Sequence, residues 1–174
     1  MNLLIMKKLY FLLLLLMPFV SCKKEITVNK EQIVNNVIYE LNPQVVYQSS
    51  SEKTKQKTAE QFLSILYANL FQTAIPQDDL IELSDLRLSN GDKAAIDELI
   101  INSFINDANV IVPTNAIMRA DIDAFVEATY VRFYLRQPTA YEAYYLKNEI
   151  EGDTDLTPRL VYTSFALSNE YKYY

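Results

Sequence analysis

The sequence predicts an all-α protein: a single compact bundle of about seven short helices built from two similar helical repeats. Three observations predict it. The 174 residues contain only two glycines, Gly91 and Gly152, and no stretch sustains the apolar/polar alternation of half-buried strands. Within 122–145, Ile122, Phe125, Val126, Thr129 and Phe133 fall at i, i+3, i+4, i+7 and i+11, one face of a helix, and Tyr130 and Tyr134 widen that face. The same pattern also occurs earlier. Shifted back 63 positions, Ile122, Phe125, Val126, Thr129, Tyr130, Phe133 and Tyr134 fall on Ala59, Phe62, Leu63, Leu66, Tyr67, Leu70 and Phe71.

The correspondence continues beyond that helix. Pro138 falls on Pro76 at an offset of 62, and Leu160, Val161, Ser164 and Phe165 fall on Leu99, Ile100, Ser103 and Phe104 at 61. An offset that falls by one at each connection is what shortened loops between conserved helix faces would give. The reading is two units of roughly 60 residues, over 56–108 and 119–171, stacked as in longer-period repeat proteins.

Taken in order, residues 1–21 read as a cleaved targeting segment. Lys7 and Lys8 form a positive n-region, and Leu9 to Val20 form an apolar core too short to span a bilayer comfortably. The ending F-V-S-C, residues 19–22, resembles the bacterial lipobox, with Phe19 where leucine is usual. That resemblance implies that Cys22 becomes the mature N-terminus and carries a diacylglycerol and an acyl chain such as palmitate. It further implies an outer-membrane lipoprotein of the cell envelope, on either face of the membrane. Residues 22–30 are then anchor and polar tether, and 31–174 one helical domain.

Residues 31–41 place Ile33, Val34, Val37, Ile38 and Leu41 on one helical face. Ser49 and Glu52 make a capping-box pattern expected to open a long helix reaching Thr73. Pro76 reads as an N1 residue of the next helix. Asn90-Gly91 is a turn, Asp92 a cap, and Ile96, Leu99, Ile100, Ser103 and Phe104 the inward face that follows. The link 109–113 is extended. One helix is expected from Thr114 or Asn115 to Arg136, stopped by Pro138 and restarted by the Thr139/Glu142 capping box. Gly152 is expected as a left-handed C′ residue, and Thr157 as a cap with Pro158 at N1. The tail 169–174 is expected to be loose.

Composition excludes several chemistries. There is no histidine, which removes the Ser-His-Asp triad, imidazole bases and most zinc and haem sites. Two isolated glycines cannot build a phosphate-cradling loop. The one cysteine, Cys22, is assigned to the lipid and so is neither nucleophile nor half of a disulfide. A net charge of −6, more negative once Lys7 and Lys8 leave, disfavours nucleic acid. The acidic groups Asp78-Asp79, Asp121/Asp123 and Glu151–Asp155 read as helix N-terminal charges and a solvated turn. No catalytic residue, metal site or cofactor beyond the lipid on Cys22 is expected.

A second resemblance concerns the C-terminal half. F-Y-L-R-Q-P-T-A-Y-E, Gly152 and S-F-A-L-S-N-E-Y are similar to the helical module shared by phycobilisome linker domains and related extracellular bacterial repeats. Leu135, Arg136, Pro138, Glu142, Ser168, Glu170 and Tyr171 fill its places, without the glycine that usually precedes the basic residue. The resemblance implies a scaffold or linker rather than an enzyme. Nine of the thirteen tyrosines lie in 130–174. Tyr141, Tyr144 and Tyr145 crowd little more than one helical turn, so some must be exposed, and tyrosine is enriched at interfaces. Arg132 and Arg136 read as ion-paired to Glu127 or Glu142, or as groups for a partner's carboxylates. The expected interface is therefore Tyr144, Arg132, Arg136, Tyr171, Tyr173 and Tyr174. The expected function is a lipid-anchored, non-enzymatic subunit of an outer-membrane assembly that binds a protein partner. The alternative is a lipoprotein binding a soluble peptide or glycan in a groove between the repeats.

Overall fold

A computed structural model describes residues 44–174. The signal peptide expected over 1–21, the lipidation expected at Cys22, the tether expected over 22–30 and the helix expected over 31–41 lie outside the described residues. Within them run seven α-helices: α1 Ala59–Phe71, α2 Gln77–Ser89, α3 Lys93–Ile105, α4 Asn115–Ala120, α5 Ile122–Tyr134, α6 Ala140–Gly152 and α7 Pro158–Leu167. Short 3₁₀ turns, Ser50–Glu52 and Glu170–Lys172, lie before and after them. The all-α expectation holds: among the described residues the only β pairing is an isolated antiparallel bridge, Gln56 to Tyr173.

Polar side chains set the helix starts. Thr58 and Gln61 close a reciprocal capping box on α1, and Thr139 and Glu142 do the same on α6. Asp92, Thr114, Asp121 and Thr157 each accept the amide three residues on. Basic side chains finish the other ends. Lys93 donates to the carbonyls of Arg87, Leu88 and Asn90, Arg159 to Ile105, and Arg119 to Ile150, Asp153 and Leu156.

The first two helices of each half share their boundaries, while α7 starts 65 positions after α3 and is three residues shorter. Helices α1 and α5 each run 13 residues and end in a left-handed residue, Gln72 (φ 53°) and Leu135 (φ 55°). Those two positions are 63 apart, as are the starts of α2 and α6. The left-handed turn costs a non-glycine residue on the order of 1 kcal/mol. At Leu135 it presents the carbonyl to the lead-in segment, where Val46 and Tyr47 donate to it at 2.7 and 3.1 Å. In α3 and α7 the burial pattern follows the offset of 61: Ile100 and Val161 are buried, Leu99 and Leu160 exposed.

The core is continuous across both halves. Phe62, Leu63, Leu66 and Leu70 of α1 join Phe125, Val126 and Phe133 of α5, Ile100 and Ile101 of α3, and Val161, Tyr162 and Phe165 of α7. Tyr171 lies at the junction, its ring 5.8 Å from Phe62 and 5.6 Å from Phe133.

Several expectations are corrected. Ser49 caps nothing: its hydroxyl bonds Ser51 at 2.7 Å, and 53–58 runs extended into the true cap, Thr58. The helix expected from 114 to 136 is broken at Asp121, whose side chain accepts from Ala124 and so restarts it. Pro76 takes the N-cap position while Pro138 precedes the cap Thr139, so the offset stays at 63 through the second helix pair. Gly152 ends α6 without a positive φ. Leu99 faces solvent, and Ile101 and Ile105 take the inward positions of α3. The tail is packed, not loose. Lys55 and Tyr174 exchange two backbone hydrogen bonds, Lys57 donates to Lys172 O at 2.9 Å, and Tyr171 is fully buried.

Candidate functional site

Arg136 sits at the junction of α5, α6 and the tail, and is only 2% exposed. Its Nε and Nη2 donate to Glu170 at 2.7 and 2.8 Å, and its Nη1 and Nη2 to Glu142 at 2.8 and 2.7 Å. Nη1 also reaches Gln137 O at 3.0 Å. All five donors of the guanidinium thus find acceptors, in the forked geometry for which arginine is suited. The hydrogen bonds from Arg136 hold the Glu142 carboxyl down at about 2. Tyr134, pushed up to about 12 by burial, donates to Ser168 Oγ at 2.8 Å, and that oxygen accepts the Tyr171 amide. The fold therefore gathers Arg136, Glu142, Ser168, Glu170 and Tyr171 at one place. The pairing of Arg136 with Glu142, one of the two readings of that arginine, is what the structure has. Arg136 and Tyr171 are consequently spent inside the fold and present nothing to a partner, contrary to their place in the expected interface.

The tyrosines of α6 behave differently. Tyr141, Tyr144 and Tyr145 are 74%, 67% and 54% exposed, so all three crowded rings face solvent. Tyr141 and Tyr145, one turn apart, stack at 6.3 Å between ring centres. Ile150 is the only fully buried residue of this helix. Ala143, Leu146 and Ile150 pack the inward side of α6 against the core, which leaves these three positions on the outward side.

A cavity of about 380 Å³ lies at the seam between α1 and α5. Ile65 and Asn69 line it from one half, Arg132 and Leu135 from the other, and Tyr47, Lys53, Lys57, Tyr173 and Tyr174 close its ends. Arg132 is half-buried, with its guanidinium 5.4 Å from the Tyr162 ring. It also borders a more open hollow of about 470 Å³ beside Ile111, Pro113 and Ile117. Of the expected interface, Arg132, Tyr173 and Tyr174 thus meet at the seam, and Tyr144 stands apart from them on α6.

Sequence reasoning missed Lys53 and Lys57. The signal is the run K-T-K-Q-K at 53–57, which falls within the helix expected from Ser49 and is extended in the fold. Lys57 is buried and donates to Tyr171 O, with its ammonium 4.1 Å from that ring. Burial, then the charge of Lys53, lowers it to about 8.

Among the described residues, no group of three or more histidine, cysteine or carboxylate side chains is placed to hold a metal ion. Among them, no helix is long and apolar enough to cross a membrane. The chain matches no protein-family model, no curated protein and no solved structure.

Proposed function

We propose that this chain is a lipid-anchored, non-enzymatic structural subunit of an outer-membrane protein assembly, tethered at Cys22 and bound to a protein partner through the tyrosine face of α6. The observation that carries the reading is the exposure of Tyr141, Tyr144 and Tyr145 on one helix. Isolated exposed apolar residues need no explanation, but three adjacent aromatic rings make a patch of the kind that proteins cover. Tyrosine suits such a face because it buries large area, orders few torsions and keeps a hydroxyl for the rim. Arg136, saturated by its own chain, drops out of the contact set, and Tyr141 and Tyr145 join Tyr144 in it.

The test compares recovery of the partner from detergent-solubilised membranes with wild-type bait and with Tyr141→Ala/Tyr144→Ala. The double variant is expected to lose the stoichiometric partner while its melting temperature stays within a few degrees of wild type. Undiminished recovery with the variant overturns the reading. The anchor is tested separately: Cys22→Ser should leave the membrane fraction on a carbonate wash.

A further inference from the structure

We propose that the seam between α1 and α5 is a binding site for a small organic carboxylate, with Lys57 and Arg132 as its cationic groups. The site is independent of the partner face on α6, none of whose residues lines the cavity. At about 380 Å³ it falls within the ~300–1,000 Å³ of small-ligand sites.

Most of the cations of the described residues already have a use within the fold. Arg87 pairs with Asp97 at 2.6 Å. Arg119 and Arg159 close helix ends, and Arg136 is saturated by Glu142 and Glu170. Arg132 alone among these arginines has neither a carboxylate nor a helix end. It has one hydrogen bond, to Ile111 O at 3.4 Å, at the long limit for such a bond. Lys53 is matched by Glu170 at 3.1 Å. Lys57 is not matched: no carboxylate of the described residues lies within ion-pair reach, and one carbonyl is its hydrogen-bond partner for three donors.

A buried ammonium without counter-charge is costly, and the depression of Lys57 to about 8 reflects that cost. A carboxylate entering the cavity beside Lys57 would supply its counter-charge, and Arg132, lining the same cavity from α5, offers a fork to a polar group further along the ligand. The remaining walls, with Tyr47, Tyr173 and Tyr174 among them, suit an organic body behind that carboxylate better than a bare inorganic anion. A peptide C-terminus and a uronic acid both have this chemistry.

The experiment is calorimetric titration of the detergent-solubilised full chain with tri-alanine, tri-alanine amide, glucuronate, glucose and inorganic phosphate. At least one of the two carboxylates is expected to bind saturably with Kd below about 1 mM, and its uncharged counterpart about tenfold or more weaker. Which carboxylate binds separates the peptide source from the glycan source. Lys57→Met and Arg132→Gln are each expected to weaken binding about tenfold or more with native circular dichroism. Arg132 is half-buried, so its variant keeps the test open if Lys57→Met misfolds. The proposal is overturned if neither carboxylate binds, if the uncharged probes or phosphate bind as tightly, or if the folded variants bind like wild type.

Discussion

Replacing Arg136 with methionine should destabilise the fold by about 3–4 kcal/mol. The perturbation removes four charge-assisted hydrogen bonds to two carboxylates and a fifth bond to Gln137 O. Removing one partner from a buried ion pair costs roughly 3–5 kcal/mol, because the charge left behind has lost its compensation. Two features place this case at the lower end. Glu170 keeps Lys53 at 3.1 Å, and Glu142 keeps the Thr139 amide at 2.8 Å and is 30% exposed. The loss of guanidinium contact with the Tyr130 and Tyr134 rings, at 5.1 and 5.6 Å, adds a smaller amount. Urea unfolding followed by circular dichroism reads the change as a fall in midpoint at constant slope. In a thermal scan the loss corresponds to roughly 6–15 °C for a chain of this size. Repeating the substitution in a Glu170→Met background should cost at least about 1 kcal/mol less, since the two groups share one network. Arg136→Lys should fall between, because an ammonium cannot grip both carboxylates in fork geometry. A variant within about 0.5 kcal/mol of wild type would refute the assignment of Arg136 to the fold. Unchanged stability with lost partner recovery would return Arg136 to the interface.

Two further predictions follow from burial and titration. Phe62→Ala and Phe125→Ala, at 1% and 8% exposure, should each cost about 3–5 kcal/mol, against under about 0.5 for the exposed Glu127→Ala; urea midpoints compare them. Stability should also rise as pH increases from about 8 toward 10. There the unfolded chain still holds the Lys57 proton (10.5) that the folded chain has lost (about 8), and Lys53, likewise lowered, adds in the same direction. The full span for Lys57 is about 3 kcal/mol. Above about pH 10 the trend should reverse, because buried Tyr130, Tyr134 and Tyr171 keep protons that the unfolded chain gives up. On the acid side, the stability carried by Glu142 is lost as pH falls from 4.5 toward 2. Urea midpoints across this range check the profile. Lys57→Met should flatten its alkaline rise, and an unaltered rise would sink the assignment.

What was legible in the sequence is what local chemistry decides. Thr139 with Glu142, Asp92, and Thr157 with Pro158 announce helix starts because those side chains do the capping themselves. The inward face of α5 was legible because Phe125, Val126, Thr129 and Phe133 repeat at the helical period. Tyr141, Tyr144 and Tyr145, at i, i+3 and i+4, share one helical face, and their spacing alone did not decide whether that face is buried; the fold turns it to solvent. Failures arose where two local signals compete or where a distant residue decides. Ser49/Glu52 and Thr58/Gln61 carry the same spacing, and nothing within either pattern ranks them. In the fold the Glu52 carboxylate accepts from Gln48 N at 3.2 Å instead of closing a box. The left-handed caps fall on Gln72 and Leu135, while Gly152 has no such duty. Tyr171 looked like one more tail tyrosine, because its partners, Asn69 at 3.0 Å and Phe62, lie some hundred positions earlier. The cationic seam was hidden for the same reason: it is assembled from 53–57, α5 and the tail.

The stitching of 55–57 to 172–174 also sets an order of events during synthesis. One ring that joins the two halves of the core belongs to residue 171, so a nascent chain that ends earlier has helices and apolar faces but no complete interior. Closing a loop of this length costs only slowly growing entropy, and α3 can already meet α7, but the Tyr171 ring against Phe62 and Phe133 and the backbone bonds of 172–174 to 55–57 form only after those last residues appear. The isolated leading half should therefore remain a loose, exchangeable ensemble rather than a prefolded block.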